Sequence, residues 1–225
     1  MKPKKCKKCA CRKIVKYGKY AGKQRFQCTN CKLTFSNGNQ VKYPKKIVEE
    51  AIELHNESMT YRAIARRLKV GKTTIQNWIK KRGNQAILIP PERCETIEID
   101  ELQFFLGKKG IRRWLWLAVC RTSRKILAVE VGRRSKKAFA PMLKKLAKIT
   151  CNKFCTDGYQ VYNSMLPERK HRKGKQHTFT VEGMMSVVRH FLARFRRKTR
   201  CYTRSEDMAK AAVLVFAKQW NDRRN

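Results

Sequence analysis

The stretches Thr96-Ile-Glu-Ile-Asp100, Trp114-Leu-Trp-Leu-Ala-Val119 and Lys125-Ile-Leu-Ala-Val-Glu-Val131 decide the fold. The first alternates apolar and polar residues with the period of a strand, and the other two are β-rich runs. Gly107 to Gly110 reads as a hairpin between the first two, so three antiparallel strands are the simplest arrangement. Ser135 then caps a helix carrying Ala138, Phe139, Met142, Leu143 and Leu146, with Pro141 in its first turns or kinking it. A short strand, Asn152-Lys-Phe-Cys-Thr156, ends at Asp157-Gly158, and two helices follow, near Val181 to Phe195 and near Ser205 to Trp220. This element order predicts an α/β ribonuclease H-like domain over residues 94–225, a mixed sheet with flanking helices.

Acidic residues are scarce, 16 against 55 Lys and Arg, so their positions are informative. Asp100 closes the first strand as read here, Asp157 closes the strand after the helix, and Glu182 opens the next long helix, with twenty-four residues between the last two. If the two strands are neighbours, both aspartates project at the same end of the sheet and Glu182 can complete a three-carboxylate cluster. An oxygen-only cluster selects hard cations, Mg2+ or Mn2+, and a pair of them suits phosphodiester chemistry. Each carboxylate also has a structural use: Asp-Gly is a common turn pair, and Glu182 complements a helix dipole. Alternation turns Glu101 toward the core with Ile97 and Ile99, and places Glu98 on the face of Asp100.

Toward the N-terminus, Cys6/Cys9 and Cys28/Cys31 form two Cys-x2-Cys knuckles separated by eighteen residues. That spacing reads as a four-thiolate structural Zn2+ site in a zinc ribbon, placed at residues 1–42. Met1-Lys2-Pro3-Lys4-Lys5 is basic and runs straight into the first knuckle, which favours a reducing cytoplasm over disulfides. Cys11 lies outside the symmetric pattern, and Cys94, Cys120, Cys151, Cys155 and Cys201 sit among apolar neighbours as small core residues.

After Tyr43-Pro44, Ile47, Val48, Ala51, Ile52 and Leu54 recur at helical spacing. Thr60 is an N-cap for a second helix with Ile64, Ala65 and Leu68, and Val70-Gly71 turns into a third with Ile75, Trp78 and Ile79 inward. Gly83-Asn84 is read as the end of that third helix. Residues 43–84 are expected to form a helix-turn-helix, with 85–93, including Pro90-Pro91, as linker to the next domain. Thr73, Asn77 and Lys80, with Gln76 on the flank, occupy the third helix opposite its apolar stripe. They carry the groups that contact base edges and phosphates in a major groove.

A formal net charge of +39 makes a compact chain self-repelling unless a polyanion neutralises it, and DNA is the expected partner. No stretch approaches the roughly 18 apolar residues of a membrane span. The cluster from Arg194 to Arg200, containing Arg196, Arg197 and Lys198, is expected to track phosphates without reading sequence.

These motifs together resemble the DDE transposases of the insertion-sequence-one family, in the version that fuses the InsA-type zinc-ribbon and helix-turn-helix region to the InsB-type catalytic region. The resemblance rests on Cys6-Lys-Lys-Cys9, Gly22-Lys-Gln-Arg-Phe-Gln-Cys28-Thr-Asn-Cys31-Lys-Leu-Thr-Phe35, Ile99-Asp100-Glu101, Gly107-Lys108-Lys109, Arg113-Trp-Leu-Trp116, Thr156-Asp157-Gly158, Val181-Glu182, Leu192-Ala-Arg194 and Arg197-Lys-Thr199. It implies that Asp100, Asp157 and Glu182 are a catalytic, metal-binding triad, with Arg189 as the basic residue two helical turns after the glutamate. It also implies docking on terminal inverted repeats, metal-assisted hydrolysis freeing a 3′-hydroxyl, attack of that hydroxyl on target DNA, and a homodimer or larger assembly in a prokaryotic cytoplasm. Met185 and Cys120 depart from the family pattern, where polar and acidic residues are frequent. No covalent protein intermediate is required, so Tyr159 and Tyr162 are read as packing or DNA-backbone contacts. Two other readings share the same residues: a non-catalytic DNA-binding regulator derived from a transposase, and a ribonuclease H-like nuclease that cuts without joining.

Overall fold

Strand β4 (Arg93–Phe105) is the axis of the larger sheet. It pairs antiparallel with β5 (Arg112–Cys120), which pairs antiparallel with β6 (Ile126–Gly132), and on its other side pairs parallel with β7 (Thr150–Thr156). A short strand β8 (His171–Lys173) joins β7 in parallel, giving the spatial order β6-β5-β4-β7-β8. This computed structural model describes residues 3, 5–20, 22–36 and 43–224, numbered here with three earlier strands, β1 (Ile14–Tyr20), β2 (Lys23–Cys28) and β3 (Thr34–Ser36).

Alternation along the central strands builds two cores. Ile97, Ile99, Trp116 and Ala118 face one side with Phe139, Met142, Leu146 and Tyr162. Leu102, Phe104, Leu115, Leu117 and Val119 face the other with Val181, Met184, Val188, Val213 and Phe216. Strand β5 is buried on both faces, which is why its sequence reads as a continuous apolar run rather than an alternation. Each buried Val, Leu, Ile, Phe or Met among these contributes about 1.5–3 kcal/mol.

Helix α4 (Lys136–Leu146) covers the first core and contains Pro141 as its sixth residue, inside the helix. A single turn, α5 (Gln160–Asn163), follows β7. The second core is covered by α6 (Phe179–Phe191) and α7 (Glu206–Asp222), the latter capped by Ser205 Oγ accepting from Met208 N at 3.1 Å. The helix expected near Val181 to Phe195 thus begins two residues earlier and stops at Phe191, where a separate 3-10 turn, Ala193–Phe195, takes over. The strand expected to close at Asp100 continues to Phe105, because Leu102 and Phe104 keep one face buried.

Three helices precede the sheet: α1 (Lys45–Asn56), α2 (Tyr61–Arg67) and α3 (Lys72–Gln85). Thr60 caps α2 as its sequence suggests, accepting from Ala63 N at 3.2 Å. Gly83, read as a helix stop, lies inside α3 and is buried against α7. A Cβ there would fall 2.5 Å from Ala211 Cα. His55 Nε2 lies 3.4 Å from Ala212 O, and Asn56 bonds Gln219, so these helices pack on α7. Residues 45–225 form one compact unit, in which the three leading helices, the 85–93 stretch and the larger sheet are held together.

The other unit, residues 1–44, is a three-stranded antiparallel ribbon in the order β1-β2-β3. Its expected end at residue 42 lies outside the described residues. The two knuckles share one backbone turn. Ala10 N donates to Cys6 O at 3.0 Å and Lys32 N to Cys28 O at 3.1 Å, with Ala10 and Lys32 both at φ 56°.

Candidate active site

The parallel pairing of β4 with β7 aligns Glu98 with Cys155, and two residues on the same register sets Asp100 beside Asp157. Asp100 Oδ1 accepts from Glu101 N at 2.7 Å. Asp157 follows the last residue of β7, and its Oδ1 accepts from Tyr159 N at 3.0 Å, with Gly158 at φ 90° allowing the turn. Asp157 thus holds its turn and also presents its second oxygen, 4.0 Å from Arg134 Nη2. Glu182 lies in the first turn of α6, exposed, with its Oε1 accepting from Thr178 Oγ1 at 2.9 Å.

Burial pushes the Asp100 carboxyl up to about 7, and the charges of Glu101, Asp157 and Glu182 add to it, against a lowering bond from Glu101 N. Burial of one carboxyl, with further negative charges near it, is a setting that a hard divalent cation would stabilise. The oxygens of Asp100, Asp157 and Glu182 are less tightly gathered than the knuckle sulfurs, the one group of three or more potential ligand atoms within 4.8 Å of one another among the described residues.

Several groups that hold this arrangement were not legible as a set. Glu98 is fully buried on the Asp100 face. Its Oε2 accepts from Thr180 N at 2.7 Å and Val181 N at 2.9 Å, and its Oε1 from Arg121 Nε at 2.6 Å. It ties β4 to the N-terminus of α6, where the helix dipole favours a negative charge. Arg121 also donates to His177 O at 2.8 Å. Alternation had placed Glu98 on this face, but nothing local marks Arg121, which arrives from the end of β5. Glu101 points into the first core as expected, where Tyr162 Oη donates to its Oε2 and Arg134 Nε to its Oε1 at 2.5 Å. Burial raises its carboxyl, opposed by Tyr162 and Arg134. Tyr162 is buried among Trp116 and Phe139, and burial lifts its phenol well above 10, so it is packing rather than a nucleophile. Tyr159 lies under the Arg134 guanidinium, 3.9 Å from the ring centroid.

Of the residues expected on DNA, Thr73, Asn77 and Lys80 are exposed on α3 and Gln76 is half-buried. Arg196, Arg197, Lys198 and Arg200 are exposed, and Arg189 is half-buried on α6. Burial and the Arg197 charge lower the Arg189 guanidinium. Arg194 departs from the expectation. It is buried, its guanidinium sits 4.2 Å from the Tyr61 ring centroid, and Nη1 bonds Thr203 Oγ1 at 3.3 Å. The Tyr61 ring and Thr203 hold it as an internal tie between α2 and the segment before α7.

In the ribbon unit, Cys6 Sγ lies 3.5 Å from Cys31 Sγ and Cys9 Sγ 3.6 Å from Cys28 Sγ. A tetrahedron with zinc–sulfur bonds of about 2.3 Å has edges of about 3.8 Å, so the four sulfurs fit that ion. The backbone N–H of Cys31 lowers the Cys28 thiol to about 6 against the effect of burial, whereas Cys31, despite the lowering bond from Leu33 N–H, is raised to about 12 by burial and by the neighbouring sulfurs. Cys94, Cys120, Cys151 and Cys155 are buried core residues, as expected, whereas Cys201 is half-buried.

Fold and site define an α/β protein with a mixed sheet, carboxylates near the paired strands β4 and β7, and a strongly basic composition. Residues 94–220 match the family described as IS1 transposase, more than half of the chain, and the chain belongs to that family of DNA transposases. The InsB protein of insertion element iso-IS1n from Shigella dysenteriae is 29% identical over 119 residues, 53% of this chain and 91% of that protein. The IS1 InsB protein of Shigella flexneri is 30% identical over 111 residues, 49% of this chain and 85% of that protein. Among solved structures, a simian T-cell lymphotropic virus intasome in complex with a PP2A regulatory subunit gives a TM-score of 0.38 at 13% identity, covering 74% of this chain and 66% of that one. The HTLV-2 integrase catalytic core in complex with magnesium gives 0.34 at 11% identity, covering 57% and 84%. Superpositions this loose add nothing to the topology described above.

Proposed function

We propose that this chain binds the inverted repeats at the ends of its element, hydrolyses a phosphodiester at each end, and joins the freed 3′-hydroxyl to target DNA. The observation that carries the reading is Asp100, its carboxyl raised by burial and by the charges of Asp157 and Glu182 on elements that the β4–β7 pairing and the Glu98 bonds to α6 bring together. Asp100, Asp157 and Glu182 would hold two Mg2+ or Mn2+ ions, which when bound supply activation of the attacking oxygen and neutralisation of the leaving one. Glu98 and Thr178 orient the helix and side chain of Glu182. Arg189 offers its charge to a phosphate about two helical turns from Glu182. The helix pair α2–α3 serves as a helix-turn-helix, with Thr73, Gln76, Asn77 and Lys80 on base edges and phosphates of a major groove. Arg196, Arg197, Lys198 and Arg200 hold the duplex by its backbone. The four knuckle cysteines hold a structural Zn2+ ion.

Joining two element ends requires two active sites, so at least a dimer assembles on DNA. No helix among the described residues is long and apolar enough to cross a membrane, and the reaction belongs with DNA in a prokaryotic cytoplasm. The test is a cleavage and strand-transfer assay with Mn2+ on a plasmid carrying the DNA that flanks the gene, comparing wild type with Asp157→Asn. Joined products from wild type alone are expected. Tight binding by both proteins with no processing by either would overturn the reading in favour of a DNA-binding regulator. Cutting without joining would favour a nuclease.

A further inference from the structure

Two basic clefts adjoin on the larger unit. One, of about 720 Å³, has Gln76, Asn77 and Lys80 of α3 on one wall and Arg200, Tyr202 and Arg204 on the other. The second, of about 550 Å³, is lined by Lys109, Arg189, Arg197 and Phe105. Arg200 and Tyr202 line both, so the clefts meet along that segment, and no carboxylate lines either. Arg189 and Arg197 crowd like charges together in the second cleft. Arg189 follows Glu182 by seven residues on α6, which puts it on the same helix face and roughly 10 Å along the axis. The row of cations therefore leads from α3 toward the carboxylates.

The helix α3 is not free to swing. The backbone of Ala211 abuts Gly83, His55 packs at Ala212 O, and Arg194 locks Tyr61 of α2 to Thr203. Burial, and then the Arg194 charge, lowers His55 to about 3, so that interface holds a neutral imidazole at working pH. A helix seated in a major groove about 12 Å wide has a sugar–phosphate strand along each side. The wall facing α3, with Arg200 and Arg204, lies where one of those strands must pass.

Resting on the function proposed above, we propose that one sugar–phosphate strand runs through both clefts, so that α3 and the carboxylates of a single protomer engage the same duplex at a fixed separation, and the cut is measured from the sequence α3 reads. The rigid seat of α3 makes the protein a ruler rather than a tethered reader.

The experiment uses the full chain with Mn2+ and two DNA substrates: the natural element end, and one with roughly half a helical turn, ~5 bp, inserted between the α3 footprint and the cut. With a fixed separation, cutting at the original junction falls by about 100-fold, and any new cut keeps its distance from the footprint. Cutting retained at the original junction, with less than tenfold loss, overturns the proposal. If wild type leaves the natural end uncut, the function reading fails instead, and the ruler fails with it. A second arm co-expresses Asp157→Asn with an Asn77→Ala, Lys80→Ala chain under different tags, purifies the mixed assembly through both, and confirms that each variant is folded. No processing is expected, and restored cutting would show that one protomer reads for another.

Discussion

Replacing Asp100 by Asn should stabilise the larger unit at pH 8 when no divalent cation is added. Raising this carboxyl from 3.8 to about 7 corresponds to a ceiling of ~4 kcal/mol against the ionised form. The side chain is partly solvent-exposed, so water screens part of the repulsion, and a gain of about 2 kcal/mol is expected for the variant. The sign follows from the direction of the shift. The folded state holds the proton more tightly than the unfolded chain, so wild type loses stability as pH climbs from about 4 through 7, and Asn removes that loss. The gap between variant and wild type should close at pH 4 and reach its full size by pH 8. Denaturant unfolding read by tryptophan fluorescence isolates the effect, because Trp78, Trp114, Trp116 and Trp220 all lie in residues 45–225. Millimolar Mn2+ should reverse the order by stabilising wild type alone. A variant less stable than wild type at pH 8, or a gap that ignores pH, would refute the electrostatic account of the site.

Glu98→Gln keeps the shape of the clamp but removes its charge, and should cost about 2–3 kcal/mol while weakening Mn2+ binding several-fold by calorimetry. Unchanged Mn2+ affinity with lowered stability would reduce Glu98 to a purely structural cap. Gly83→Ala should destabilise by about 1–3 kcal/mol in chemical denaturation, although alanine gains about 1 kcal/mol in helix propensity, because its Cβ meets the Ala211 backbone. A neutral or stabilising outcome would mean that α3 is not seated on α7. A zinc chelator should unfold the ribbon, seen as lost strand signals by NMR, and leave the tryptophan emission of the larger unit unchanged.

How much was legible depended on how local the cause was. The knuckle pair was readable because thiolate spacing is itself the chemistry, and the Thr60 cap because its bond closes over three residues. Strand β8 was missed, since His171, Arg172 and Lys173 carry no apolar alternation and pair only because β7 is already in place. Arg194 looked like one more member of a basic run, and only the ring of Tyr61, far away in sequence, reveals it as an internal tie. Gly83 carried the signature of a helix end, but its bare backbone admits a neighbouring helix.

By itself the sequence determined the order of the main strands and helices, the apolar runs of the central strands and the four thiolates, because each is set by periodicity or spacing within one segment, and its composition alone showed how scarce carboxylates are. Tertiary structure alone decided that β7 runs parallel to β4 in a register bringing Asp157 beside Asp100, that Glu98 and Arg121 fasten α6, and that α1 and α3 seat on α7. Those outcomes depend on contacts between residues tens of positions apart, whose free energy exists only once the cores that join them have closed.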